Sequence, residues 1–166
     1  MSQRFYLSRK GLTRLSQQRD QLRDDLQRST KEMGESVKRD NDLRENPEYM
    51  QLQTKVSYEL PNKISEISRI LDTHMLIEDI DAIKEGHFDE VLPGMQVVVE
   101  DEHGASRTFS IMGYEEGNPA LGIVSYLTPV ANAMLHKGIG DEVELPHNGK
   151  TVPYEIITIE RSPHLD

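Results

Sequence analysis

An α+β protein in two parts, an antiparallel helical hairpin followed by a small antiparallel sheet carrying one helix, is the fold that three features of the sequence predict. Roughly the first 75 residues place apolar side chains at heptad spacing. From residue 95 onward the pattern changes to short β-branched runs bounded by Gly, Asp, Asn and Pro. The charge divides at the same place. Residues 1–80 hold 14 Lys and Arg against 14 Asp and Glu, whereas residues 81–166 hold 5 against 15, so the whole net charge of -10 belongs to the second half.

The first arm is read from Ser8 to about Lys38, where no Pro occurs and Leu15, Leu22, Leu26, Met33 and Val37 are separated by 7, 4, 7 and 4 residues. Arg19 and Ser29 interrupt that seam with polar side chains. The second arm is read from Pro47 to Leu76, with Leu60, Ile64, Ile67 and Leu71 stepping by 4, 3 and 4 and Val56 extending the stripe. Two helices with one narrow apolar stripe each bury those stripes by folding back on each other, which predicts a coiled-coil hairpin. About thirty residues per arm at 1.5 Å each give a length of about 45 Å. Pro61 lacks a backbone donor inside the second arm and predicts a kink or bulge there.

The predicted strands are 95–100, 108–112, 121–126, 142–145 and 152–159, with hairpin turns at Glu102-His103-Gly104 and Asn148-Gly149. A short helix is predicted after the third strand, with Thr128 as N-cap, Pro129 in the first helical position and Gly138 near its end. A sheet with one helix laid across it follows. Residues 77–93 are the connector, which puts the division between a hairpin of residues 1–77 and a globular domain of residues 78–166.

Composition narrows the function. With 166 residues, 36% of them hydrophobic, the chain suffices for one domain or two small ones. Zero Cys excludes a disulfide framework, a thiolate metal site and a cysteine nucleophile, and fits a reducing cytosol. No apolar run approaches membrane length and the N-terminus lacks a signal-peptide core, so a cytoplasmic protein without membrane partners is expected. The six His residues have no metal-ligand spacing, and no Ser or Thr comes with a recognisable base and orienting acid. The second half is too poor in Lys and Arg to bind phosphates, and the six basic residues from Arg9 to Arg28 spread around their helix. A protein partner, with a basic surface, fits the acidic half better than nucleic acid.

The densest chemistry lies at the bend between the arms, where Asp40, Asp42, Glu45 and Glu48 fall within nine residues. Two accounts of these acids stand side by side. They complement the N-terminal dipole of the second arm, which Asn46 and Pro47 are suited to begin. Alternatively, they are hard oxygen ligands for a divalent ion such as magnesium, too few for a closed site and therefore completing a site held by a partner.

The segment DLRENPEY, Asp42 to Tyr49, resembles the tip motif of the Gre transcript-cleavage factors of bacterial RNA polymerase, GreA and GreB. LTPVANAML, Leu127 to Leu135, with GDEVEL, Gly140 to Leu145, is similar to the same family's carboxyl-terminal domain, so the resemblance spans nearly the whole chain. It implies a coiled-coil hairpin followed by an FKBP-like domain. It also implies a function as an accessory factor that is not itself an enzyme. The globular domain would dock at the rim of the polymerase secondary channel through the segment containing Thr128, Pro129 and Ala131, and the hairpin would reach the active centre. There Asp42 and Glu45 would help hold the polymerase's weakly bound magnesium, no cofactor being bound by the factor alone, while the polymerase hydrolyses a backtracked RNA 3′ end. Thr128, where the family more often has Ser, and Asn132, where a basic residue is common, depart from its pattern. The lack of a dense basic face on the first arm leans towards GreA, which favours short fragments. Two alternatives are a factor of the same fold that inhibits the polymerase and an FKBP-type folding helper, the latter opposed by the scarcity of aromatic residues.

Overall fold

The computed structural model describes residues 4–39 and 47–166 and divides into two compact units, Thr13–Thr73 and the pair of segments Met1–Leu12 and His74–Asp166. In chain order the elements are β1 (Phe5–Leu7), α1 (Arg9–Arg39), α2 (Pro47–Thr54), a π-turn (Lys55–Glu59), α3 (Leu60–Thr73), β2 (His74–Leu76), α4 (Asp81–Glu85), β3 (Met95–Glu100), β4 (Ser106–Met112), β5 (Ile123–Ser125), α5 (Pro129–Met134), β6 (Glu142–His147) and β7 (Lys150–Arg161). The α+β class predicted from the sequence is the class observed.

The helical unit follows its apolar stripes with two changes. Leu15 is buried in α1 and Leu22, Leu26 and Met33 are half-buried, but the last seam position belongs to Ser36, which is buried, while Val37 is exposed. A strict heptad from Leu15 runs through Leu22, Ser29 and Ser36, and small hydroxyls at its end outrank the neighbouring Val37 because helix phase decides which side faces inward. In the second arm Leu60, Ile67 and Ile70 are buried, and Ile64 and Leu71 are half-buried. The anticipated disturbance at Pro61 is a π-turn immediately before it, in which the Leu60 N–H donates to the carbonyl of Lys55, five residues back. Widening the helix by one residue relieves the clash that the proline ring would make with the carbonyl four residues earlier. The arm also ends sooner than its periodicity suggests, since residues 74–76 are strand.

The two arms are tied by Lys55, whose Nζ lies 3.0 Å from Asp25 Oδ1. That hydrogen bond holds the Asp25 carboxyl below its ordinary value of 3.8, opposed by partial burial and assisted by the charge of Lys55, the Ser29 hydroxyl and Arg28. A carboxylate with a lowered pKa contributes stability above its unfolded value and loses it as pH falls through the folded one. The link should therefore persist down to about pH 4 and weaken only below it. Lys55→Met should move the Asp25 titration back up toward its ordinary value, as followed by carboxyl NMR; an unmoved titration would remove Lys55 as the cause.

In the second unit, β1 and β2 form a parallel pair, Phe5 opposite His74 and Leu7 opposite Leu76. A five-stranded sheet has the order β5-β4-β3-β7-β6. The expectation of an all-antiparallel sheet is corrected here, because β5 runs parallel to β4, with Ser110 opposite Ile123. The connection through a 3-10 turn at Pro119–Leu121 brings the chain back before it re-enters the sheet, which also shortens the expected third strand to three residues. The Asn148-Gly149 turn has positive φ at both residues, 51° and 77°, the pattern of a two-residue hairpin. β7 carries a bulge opposite Val98 and Val99. The extra residue explains why burial along β7 steps from Tyr154 to Ile156 and then to Ile159. Met95, Val97, Val99, Ile111, Leu145 and Ile156 are fully buried at the centre of one apolar cluster.

Residues 5–12 join this unit through several independent contacts. The Tyr6 carbonyl accepts from the Tyr114 N–H at 2.9 Å, and the Tyr6 N–H donates to the Tyr126 hydroxyl at 3.2 Å. Ser8 begins α1: its carbonyl accepts from the Leu12 N–H and its Oγ from the Gly11 N–H at 3.1 Å. The Ser8 N–H donates to Glu116 Oε2 at 3.1 Å, the Ser8 hydroxyl donates to the other oxygen of Glu116, and the Arg9 N–H donates to Glu78 Oε2 at 2.8 Å.

Candidate functional site

The segment expected to dock, around Thr128 and Pro129, is built at the end of β5. The Thr128 N–H and hydroxyl both donate to the Ser125 carbonyl, at 3.1 and 2.8 Å, which turns the chain out of the sheet. Thr128 Oγ1 then accepts from the Ala131 N–H at 3.3 Å, and Pro129 occupies the first helical position, where no donor is needed. The predicted cap is the observed one. The helix itself is shorter than expected: α5 stops at Met134, ahead of Gly138, which was expected near its end, and His136, with φ 68°, makes a left-handed turn. The His136 N–H is taken up by the Val91 carbonyl at 2.8 Å and the Val91 N–H by the Lys137 carbonyl at 2.8 Å, so the connector holds the far end of the segment.

Of the three residues assigned to docking, Thr128 is half-buried and Pro129 is exposed, while Ala131 is fully buried beside Met134 in the core. Ala131 therefore sets the depth at which α5 sits, and the face offered to solvent comes from Leu127, Pro129 and Asn132. Leu127 is an exposed large apolar side chain that the motif reading passed over; its position immediately before the cap was the available signal. Elsewhere on the same unit, Glu100, Asp101, Glu102, Glu142 and Glu155 line a shallow groove beside Tyr154, with no basic side chain among its lining residues. The negative half of the chain thus has a concentrated acidic surface. Burial raises the Tyr126 hydroxyl above its ordinary range, against the lowering effect of the Tyr6 N–H.

Asp42 and Glu45, assigned both the catalytic and the metal-holding role, lie outside the described residues. Of the acids in that stretch, Glu48 is described: it is exposed in the first turn of α2, where its charge favours the helix N-terminus. Among the described residues no cluster of three His, Asp or Glu is arranged to hold a metal, and no helix is long and apolar enough to cross a membrane.

Residues 85–161 match the family model described as transcription elongation factor, GreA/GreB, C-term. The chain is 30% identical over 151 residues to the transcription elongation factor GreA of Nautilia profundicola, covering 90% of each protein. It is 27% identical over 164 residues to the GreA of Nitratiruptor sp., covering 98% of this chain and 97% of that one. Among solved structures, GreA factor homolog 1 (Gfh1) of Thermus thermophilus aligns with a TM-score of 0.42 at 20% identity over 95% of this chain and 99% of its own.

Proposed function

The chain belongs to the GreA/GreB family of transcription elongation factors, and from that premise we propose that it binds bacterial RNA polymerase and stimulates the polymerase's own hydrolysis of backtracked RNA. The observation that carries this reading is the near full-length similarity to GreA, joined to the tip sequence DLRENPEY and the capped segment Thr128-Pro129. The factor is an accessory and not the hydrolase. Its globular unit docks through the segment Leu127–Asn132, with Ala131 buried beneath as the anchor, and the acidic groove favours a basic surface on the polymerase. Asp42 and Glu45 supply two hard oxygen ligands, a donor set that suits magnesium yet leaves its octahedral shell incomplete, so the ion belongs to the polymerase and the factor alone binds none tightly. Water activation at such an ion is the chemistry the shared site supplies. The fragments released are short, as in the GreA branch.

The test is cleavage by stalled, backtracked elongation complexes with and without the protein. Accelerated release of short 3′ fragments is expected. Slowed elongation without cleavage would replace this reading with inhibition from the same site. Leu127→Asp, at an exposed position, should leave folding intact and raise the concentration needed for half-maximal stimulation by about tenfold, the equivalent of about 1.4 kcal/mol of binding. An unchanged half-maximal concentration would place docking elsewhere.

A further inference from the structure

The turn that joins β6 to β7 has a chemistry that the proposed function does not use. Asn148-Gly149 forms this two-residue turn with φ 51° and 77°, and Gly149 is there for its backbone, since nothing lies within 4 Å of its Cβ position. The missing Cβ that allows a positive φ also leaves the Gly149 nitrogen uncrowded beside the Asn148 side-chain amide. Of the other described Asn residues, Asn118 precedes Pro119, which has no N–H to lose, and Asn62 and Asn132 lie inside α3 and α5 and precede Lys63 and Ala133. Asn148 alone is followed by Gly.

Little holds the turn closed. Residues 146–151 are all exposed, so opening the pairs His147–Lys150 and Pro146–Thr151 uncovers no buried side chain. Among the described residues, the one polar contact of the Asn148 side chain is with its neighbour, Nδ2 lying 3.3 Å from His147 Nε2, and this leaves the carbonyl carbon free. When the turn opens, the Gly149 nitrogen can attack Asn148 Cγ. The new C–N bond closes a five-membered imide, the Cγ–Nδ2 bond breaks, and the Gly149 proton departs with Nδ2 as ammonia. Water then cleaves the ring on one of two sides. Cleavage at Cγ gives aspartate on an unchanged backbone, whereas cleavage at the backbone carbonyl gives isoaspartate, in which the main chain runs through Cγ and is one carbon longer.

We propose that Asn148 is a site of spontaneous deamidation and that its isoaspartate product detaches the end of β6. Aspartate suits the same turn, because Asp-Gly is also a two-residue hairpin sequence. Isoaspartate does not, since an added main-chain carbon changes the loop length that fixes the register of β6 on β7. β6 is an edge strand that pairs in the sheet with β7 alone, yet it supplies Val143 and Leu145 to the core. The Arg107 guanidinium, which lies over the Phe109 and Tyr154 rings and donates to the Pro146 carbonyl at 3.2 Å, is the next fastening to be lost.

The experiment ages the full-length protein in warm, mildly alkaline buffer beside Asn148→Gly, which keeps a turn able to take positive φ and removes the amide. Peptide mass spectrometry follows the conversion of each Asn, and enzymatic methylation of isoaspartate tells the two products apart. Asn148 should convert at least about tenfold faster than Asn62, Asn118 or Asn132, the equivalent of about 1.4 kcal/mol of barrier. Isoaspartate should be the larger product, and the amides of residues 145–152 should exchange about tenfold faster in that form, isolated by anion exchange, than in aged Asn148→Gly. Freshly made Asn148→Asp, which carries the new charge on a normal backbone, should exchange as the wild type does. Conversion of Asn148 no faster than that of the other three overturns the site. Isoaspartate protein with wild-type exchange overturns the detachment, and so does equally fast exchange in Asn148→Asp, which would assign the loosening to charge.

Discussion

Replacing Asp42 by Asn, or Glu45 by Gln, is expected to lower the stimulated rate of RNA cleavage by about tenfold or more, each decade corresponding to about 1.4 kcal/mol of barrier. Both substitutions keep shape and most hydrogen bonding and remove only the charge that a hard cation requires. Polymerase affinity should change little, because the segment proposed to dock lies in the other unit. Raised magnesium should recover part of the lost rate. If the acids serve only the dipole of the second arm, neutralising one costs about 0.3–1 kcal/mol of local stability and cleavage persists. Cleavage rates measured against magnesium, with folding checked by circular dichroism, decide between the two, and folded, polymerase-bound variants at the wild-type rate would falsify metal sharing.

Gly94→Ala should destabilise the globular unit by about 2–5 kcal/mol, combining about 1–2 for a left-handed backbone with about 1–3 for overpacking. Gly94 has φ 92° and is buried, and its Cβ would run into Ile77 and lie 3.1 and 3.2 Å from Leu165 and Ile83. The chain cannot readily shift to make room. The Gly94 N–H donates to the Ile111 carbonyl at 2.7 Å and its carbonyl accepts from the Ser162 N–H at 2.8 Å, tying it to both sides. Gly140 shares the φ of 92° but has nothing within 4 Å. Gly140→Ala should therefore show the backbone cost alone, and the difference between the variants in urea unfolding isolates the packing cost. Equal losses would show that Ile77 and its neighbours yield.

What could be read from the sequence was what is local. The runs at 95–100 and 142–145, the Asn148-Gly149 turn and the Thr128-Pro129 cap each signal through residues a few positions apart, and each was found where expected. The π-turn was foreseeable because a proline's consequences fall within one turn of it. By contrast, β1 has three residues and no periodicity to detect, and it exists because β2 lies beside it. The parallel placement of β5 is decided by a connection whose path its composition does not reveal. The Glu116 and Glu78 caps join residues 108 and 69 positions apart, and in isolation these two acids look like any exposed charge. Asp42 and Glu45 were singled out by their motif, while Leu127 emerged only once α5 was seen to turn Ala131 inward.

The borrowed cap at Ser8 also imposes an order on synthesis. As the chain leaves the ribosome, α1 emerges ahead of both acids that cap it, with Gly11 in its opening turn and no acid of its own there. Glu78 follows only after both arms, and Glu116 only after β4. A nascent helix can form and pair along its later turns, where contacts are near in sequence, but the caps of its first turn are missing until Glu116 has been made. A segment translated ahead of both its caps is thus completed only after them, and its closure reports that the strands around Glu116 have already assembled.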